Sequence, residues 1–392
     1  MKRATTILVI ILVVVTGCGD GNKQSTVIRS NDDLITVDVT KSYPKKELIL
    51  QDFMDVEYIP LETTYEFITQ GSVRAVGKEV IVITNRTRDG DIFIYDRSGK
   101  GVRKINQRGQ SSQEYPDIIG IVLDEENNEL FVHERKMLVY DLNGTFKRSF
   151  KYRYDYMFNR FHNYDSDHLF AYDGTAEFGE YKKRSAYHVI ISKQDGSIIN
   201  EAQIPFKEKK SAVIQYRTDD RIITHSPDEI NAMIPYQGNW VLTQSSADTV
   251  YLYLPDYSLL PFIARTPFIQ SMNPSIFLFP QVLTEQYYFM RTVKIGSRND
   301  EDRFPTTNLV YDRQEQKLYE CTVYSDDFSA KKAINMSQYS PVGNDIAFWQ
   351  RFEAPELVEA YNNGELKGRL NEIAAELDEE DNPVIMLVKH KK

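Results

Sequence analysis

Cysteine is almost missing from this chain: of 392 residues only Cys18 and Cys321 carry a thiol, so no framework of disulfides holds the fold. Basic residues are outnumbered, 47 Lys and Arg against 57 Asp and Glu, and the net charge of −10 excludes the clustered positive surface that nucleic acid requires. Lys182-Lys183-Arg184 and Lys207-Glu208-Lys209-Lys210 are small clusters, read as solvated loops. There is no Gly-rich phosphate loop, no His-Glu-x-x-His helix and no Cys-x-x-Cys pair. The six histidines, His133, His162, His168, His188, His225 and His390, form no close metal-ligand pair. The sequence therefore predicts no catalytic residue, no metal and no cofactor. His133-Glu134 lies beside an apolar strand and reads as a packing pair, although a triad assembled from separate elements leaves no local spacing to detect.

What is present begins at the start. Lys2 and Arg3 precede nine aliphatic residues, Ile7 to Val15, and small residues lead into Cys18. Nine residues cover about 14 Å as a helix against a hydrocarbon core of about 30 Å, so the segment is an export signal and does not span. Residues 1–17 are the expected signal peptide. Gly19 to about Asn31 is polar and without periodicity, so residues 18–31 read as a tether with a reach of about 20 Å. Setting residues 1–17 aside leaves 375 residues with 45 basic and 57 acidic groups, a charge of −12 and ample length for a large core. Cys321 sits in the apolar-rich stretch Leu318 to Tyr324 and reads as a buried structural thiol.

The body repeats. Ile92-Phe93-Ile94-Tyr95-Asp96-Arg97-Ser98-Gly99 and Leu138-Val139-Tyr140-Asp141-Leu142-Asn143-Gly144 are apolar strands ending in Tyr-Asp, two turn residues and glycine. The aspartate can accept turn amides, and glycine takes the positive φ needed to enter the next strand. Val189 to Gly196 is a weaker copy, and hairpins near 258 and 315 keep the strands but lose the glycine. Turn positions 99, 144, 196, 258 and 315 are spaced by 45, 52, 62 and 57 residues, a mean of 54. Repeated all-strand units of this size predict a propeller. Val80-Ile81-Val82-Ile83, apolar on both faces, fits a strand sandwiched between sheets.

Asp55 to Val388 spans 334 residues, room for six units of 54 and not for seven. The sixth turn, due near 369, is absent. Leu366, Leu370, Ile373, Ala374 and Leu377 recur there at helical spacing before Pro383, so a short helix is expected to replace a turn in the last blade. Val56 to Leu61 and Val384 to Val388 lack hairpin partners, and pairing them would close the ring from both termini. The expected fold is an all-β six-bladed propeller over residues 32–392.

Two resemblances add to this. Val15-Thr16-Gly17-Cys18 resembles a bacterial lipobox, which implies cleavage before Cys18, acylation of that residue and anchoring in the outer membrane, facing the periplasm or the surface. The lipobox, Val56-Glu57-Tyr58-Ile59-Pro60-Leu61-Glu62-Thr63, Gln107-Arg108-Gly109 with Glu114-Tyr115-Pro116-Asp117-Ile118, the Tyr-Asp turns and Asp381-Asn382-Pro383-Val384-Ile385-Met386 together resemble the six-bladed β-propeller lipoproteins of Bacteroides-like bacteria, NHL-like in shape. That resemblance carries no reaction. Gln110-Ser111-Ser112-Gln113 departs from the group, which has a second glycine and a proline there. Because that loop leads into an innermost strand, Arg108, Glu114 and Tyr115 are the expected ligand residues; the plainer reading has Glu114 bonding backbone amides. Tyr152, Tyr154, Tyr156 and Phe158 share one face of a strand and read as packing between blades, with a glycan platform as the alternative. The functional expectation is a lipid-anchored envelope propeller that binds a protein, peptide or glycan. The alternatives are a lactonase-like hydrolase with channel calcium and a structural subunit of an outer-membrane complex.

Overall fold

The computed structural model describes residues 34–391 apart from 86–88, 154, 178–185, 219–220, 228–229, 231, 297–303, 337–342 and 344. The signal, Cys18, the tether, Tyr154 and Lys182-Lys183-Arg184 lie outside the described residues.

The strands form the six blades that the turn spacing predicts. Blade one is Ser72–Val76, Val80–Thr84, Asp91–Asp96 and Gly101–Asn106, paired antiparallel in that order. Blade two runs Gly120–Asp124, Glu129–His133, Met137–Tyr140 and Phe146–Phe150, and blade three Phe158–Asn163, His168–Asp173, His188–Ser192 and Ile198–Ala202. Blade four is Met233–Tyr236, Asn239–Leu242, Thr249–Tyr253 and Leu259–Thr266; blade five is Ile276–Leu283, Tyr287–Lys294, Thr306–Asp312 and Lys317–Ser325. A separate hairpin, Ile214–Arg217 with Ile222–His225, interrupts the connection between blades three and four.

Strand alternation explains why the inner strands are apolar on both faces. In Asp91–Asp96, Ile92 and Ile94 pack with Leu130, Val132 and Leu138 of blade two, while Phe93 and Tyr95 pack with Ile59, Ile385 and Leu387 of the closing blade. Among the described residues a buried cluster of this kind fills each of the six blade-to-blade contacts. Tyr156 and Phe158 stack at 4.9 Å within the cluster between blades two and three. Cys321 is buried between blades five and six, where burial pushes its thiol up to about 12.

The turns work as their residues require. Asp96 Oδ1 accepts the amides of Ser98 at 2.8 Å and Lys100 at 3.1 Å, Asp141 Oδ1 those of Asn143 and Thr145, and Gly99 and Gly144 have φ of +90° and +87°. In the two hairpins without glycine, Tyr257 (φ 68°) and Gln316 (φ 53°) take the left-handed position, one residue before 258 and one after 315.

The closing blade joins both ends of the chain. Ile346–Phe352, Val384–His390 and Met54–Pro60 pair antiparallel, with Val384 opposite Pro60 and Val388 opposite Val56. Gly144 abuts Ile105 in the outermost strand of blade one, and Gly196 abuts Phe150 in that of blade two. Gly99 abuts Pro60 in the same way, so Met54–Pro60 is the outermost strand of blade six. The helical residues near 369 form Gly368–Ala374, preceded by a second helix, Ala354–Asn362, and both lie between Ile346–Phe352 and Val384–His390. They do not stand where the sixth hairpin was due. That hairpin would join the third and fourth strands, and here those strands come from opposite ends of the chain.

Residues 34–53 add a feature that the repeat count missed. Ile35–Asp38 pairs parallel to Leu259–Thr266 and Lys45–Ile49 parallel to Lys317–Ser325, so the chain crosses the outer edges of blades four and five before entering blade six. Covering these edges removes two rows of unpaired backbone groups. Lys46 Nζ fastens the belt to Asp312 and Glu315, each at 2.6 Å.

Asn382 secures the closure. Its Nδ2 donates to the carbonyls of Glu62 (2.8 Å) and Phe67 (2.7 Å), its Oδ1 accepts from Thr69 N (2.8 Å), and its own amide donates to Thr63 Oγ1. Asn382→Ala removes the side-chain donors of the Glu62 and Phe67 carbonyls and the acceptor of the buried Thr69 amide, and is expected to destabilise the protein by about 2 to 3 kcal/mol. Urea unfolding measures it, and a loss within about 0.5 kcal/mol would show that this network is dispensable.

Candidate functional site: the central cavity

A cavity of about 1160 Å³ lies where the first strands converge. Its walls are Ser72–Val76, Gly120–Asp124, residues 159–166 of blade three, the hairpin around Gly238 to Trp240 in blade four, and the ends of the closing blade near Asp55, Ile346 and His390. Both tryptophans of the chain, Trp240 and Trp349, line it. The register shifts between Val73 and Ala75 and between Phe158 and Arg160, so Arg74 and Asn159 stand at bulges in two of these strands. Bulges re-aim side chains and occur often beside binding sites.

On the blade-three wall, side chains two apart share a face. Phe161 meets His133 at 4.7 Å in the packing toward blade two, whereas His162 and Tyr164 meet Trp240 at 5.3 and 6.4 Å. His162 is held down at about 4 by burial and by the charge of Arg160. His133, lowered to about 4 by burial, contacts the Tyr152 hydroxyl through Nε2 at 2.7 Å and packs against Phe161. Glu177 is buried in the network beside this wall: Tyr172 Oη donates to one carboxyl oxygen at 2.5 Å and Ser245 Oγ to the other at 2.7 Å. Among the described residues no three His, Cys, Asp or Glu side chains gather as a metal ion would need.

Arg108, Glu114 and Tyr115 occupy the connection that leads to Gly120, and none of the three lines the cavity. Tyr115 is fully buried; its hydroxyl donates to Gly90 O at 2.8 Å and accepts from Gln107 N at 3.0 Å. Glu114 Oε2 accepts Ser111 N at 2.9 Å, and hydrogen bonds from Ser111 hold its carboxyl below the usual range. Arg108 is exposed, with Nε donating to Pro116 O at 3.4 Å. These residues shape the connection. The residues that do line the cavity, Arg74, Arg160 and Trp240 among them, belong to no local motif, and their common signal is only a place on a first strand or first hairpin.

The architecture has known counterparts. A Bacteroides fragilis protein named as exported is 15% identical, with a TM-score of 0.57 over 89% of this chain and 99% of that one, a likeness of fold. Weaker likenesses are to a virginiamycin B lyase from Staphylococcus aureus (9% identity, TM-score 0.35, 86% of this chain and 100% of that one) and to a Bacteroides thetaiotaomicron protein of unknown function (8%, 0.37, 89% and 75%). Comparison with curated proteins found no match. The model of the family described as 6-bladed beta-propeller matches residues 24–346, most of the chain, and with the blades and their closure it establishes that the chain belongs to that six-bladed β-propeller family.

Proposed function

We propose that this chain is a lipid-anchored binding propeller of the cell envelope that takes a glycan or peptide fragment of an envelope partner into its central cavity. The observation that carries the reading is the cavity itself, large enough for a ligand of drug size or more and walled by arginine, asparagine, histidine and both tryptophans. A ring closed by both termini keeps such walls in place without ligand, which lowers the ordering cost of binding. The lipobox-like run ending in Cys18 supports anchoring, and a fold counterpart named as exported agrees with an envelope location. In this reading the connection carrying Arg108, Glu114 and Tyr115 acts by holding the wall strand Gly120–Asp124.

The test uses a glycine on that wall. A Cβ at Gly120 would meet nothing closer than 3.9 Å, and the backbone there needs no positive φ, so Gly120→Phe fills cavity space without breaking the blade. Thermal-shift screening of the full-length chain in detergent micelles against glycans and peptides is expected to give ligands that raise the melting temperature. Gly120→Phe is expected to abolish those shifts while melting within a few degrees of the parent. Ligand shifts that survive the substitution unchanged would remove the cavity from the proposal.

A further inference from the structure

Charges along the cavity are unevenly committed. Asp124 is bonded to Lys193 at 2.5 Å, Glu125 accepts the amides of Lys78, Glu79 and Val80, and Asp165 meets His168 Nδ1 at 2.9 Å. Arg97 and Lys389 share Glu57. Two guanidinium groups on the wall are different. Arg74 donates through Nε to Thr84 Oγ1 at 2.7 Å and makes no ion pair, and Arg160 makes neither a hydrogen bond nor an ion pair among the described residues. Both are partly buried, and burial weakens each one's hold on its proton. Glu177, buried behind the wall and bonded by the Tyr172 and Ser245 hydroxyls, interacts electrostatically with Arg160 without forming a contact ion pair.

We propose that the cavity is built for an anionic ligand, and that Arg74 and Arg160, on the first strands of blades one and three, supply the guanidinium groups that hold its carboxylates. This rests on the cavity being the binding site. A guanidinium presents planar, paired N–H donors that match a carboxylate, and a partly desolvated one with no contact ion pair gains most from meeting it. The wall also carries Asp55 and Asp345 at its closing-blade end, so the place for an anion is the side formed by blades one and three, where Arg74 and Arg160 stand. Two sources present this chemistry: a uronic-acid sugar and the C-terminus of a peptide.

The experiment titrates the full-length chain in detergent micelles with sodium glucuronate and with N-acetyl-Ala-Ala. Glucose and the amidated dipeptide serve as neutral counterparts. Calorimetry gives affinity. Emission from Trp240 and Trp349, the only tryptophans of the chain and both in the cavity wall, gives location. One acid is expected to bind and shift the emission, its neutral counterpart to bind at least about tenfold more weakly, and Arg160→Met or Arg74→Gln to lower its affinity at least about tenfold at an unchanged melting temperature. Arg160→Lys, which keeps the charge and loses the fork, is expected to fall between and covers the case in which Arg160→Met does not fold. Which acid binds identifies the source. Neutral ligands binding as tightly as the acids, acid binding indifferent to both arginines, or no heat from either acid at millimolar concentration would each overturn the inference. Of these, tight neutral binding that Gly120→Phe removes leaves the cavity reading standing, whereas binding indifferent to Gly120→Phe removes that reading as well.

Discussion

Gly99→Ala is expected to destabilise the protein by about 3 to 5 kcal/mol, the largest effect of any single methyl group added to the turns described above. Gly99 has φ +90°, which an L side chain adopts only under strain, and a Cβ built there lies 2.0 Å from Pro60 O. That atom is backbone, in the strand that brings the N-terminal part of the chain into the closing blade, and it cannot rotate away. The same contact includes a hydrogen bond from Glu62 N to Gly99 O at 2.8 Å. A shift large enough to admit the methyl group therefore moves Met54–Pro60 against Val384–His390, and closure is lost with it. Gly364→Ala is the control, because Gly364 has a similar φ of +69° with nothing within 4 Å of the added carbon. It is expected to cost about 1 kcal/mol, the conformational part alone. Urea unfolding of the two variants separates the terms, and equal losses would show that the approach of Gly99 to Pro60 is not tight.

Lys193→Met is expected to cost about 3 to 5 kcal/mol. Lys193 and Asp124 are both almost fully buried, and the ammonium lies 2.5 Å from Asp124 Oδ2 while also donating to the carbonyls of Asp165 at 2.5 Å and Ser166 at 3.2 Å. The pair ties the end of the first strand of blade two to the turn after the third strand of blade three. Removing the lysine leaves a carboxylate in a nearly dry setting with Asn127 as its one side-chain partner among the described residues. Because the penalty is that of an orphaned charge, Asp124→Leu combined with Lys193→Met is expected to recover part of the loss, and a double-mutant cycle measures the coupling. A single-variant loss below about 1 kcal/mol would mean that water reaches the site.

Much of the architecture was legible before the structure, and the reasons are local. A Tyr-Asp-x-x-Gly turn is built from neighbouring residues, so Gly99 and Gly144, with Gly196 in a weaker copy, mark hairpins wherever the strands go. Tyr257 and Gln316 were harder to place because they hold the same backbone conformation without glycine, which moved the inferred turn by one residue in each case. The belt at Ile35–Asp38 left a weak trace in the alternation of Ile35, Thr36, Val37 and Asp38, but no turn, and a count based on turns passes over it. Asn382 was visible as part of a motif. Its work, satisfying backbone groups of residues 62 to 69, depends on residues more than 300 positions away.

By itself, then, the sequence determined that the fold is all-β, that its unit is a hairpin-bearing blade of about 54 residues, that six units fill the chain, and that the two ends pair. Each of these follows from short-range turn chemistry, strand periodicity and chain length. Only the tertiary structure decided why the sixth turn is missing, where the helices are inserted, and which side chains face the cavity. Arg74 and Arg160 are 86 residues apart and are ordinary strand arginines when read alone. They become members of one wall because a ring brings its first strands to a common axis, and that convergence is a property of closure that no local spacing encodes.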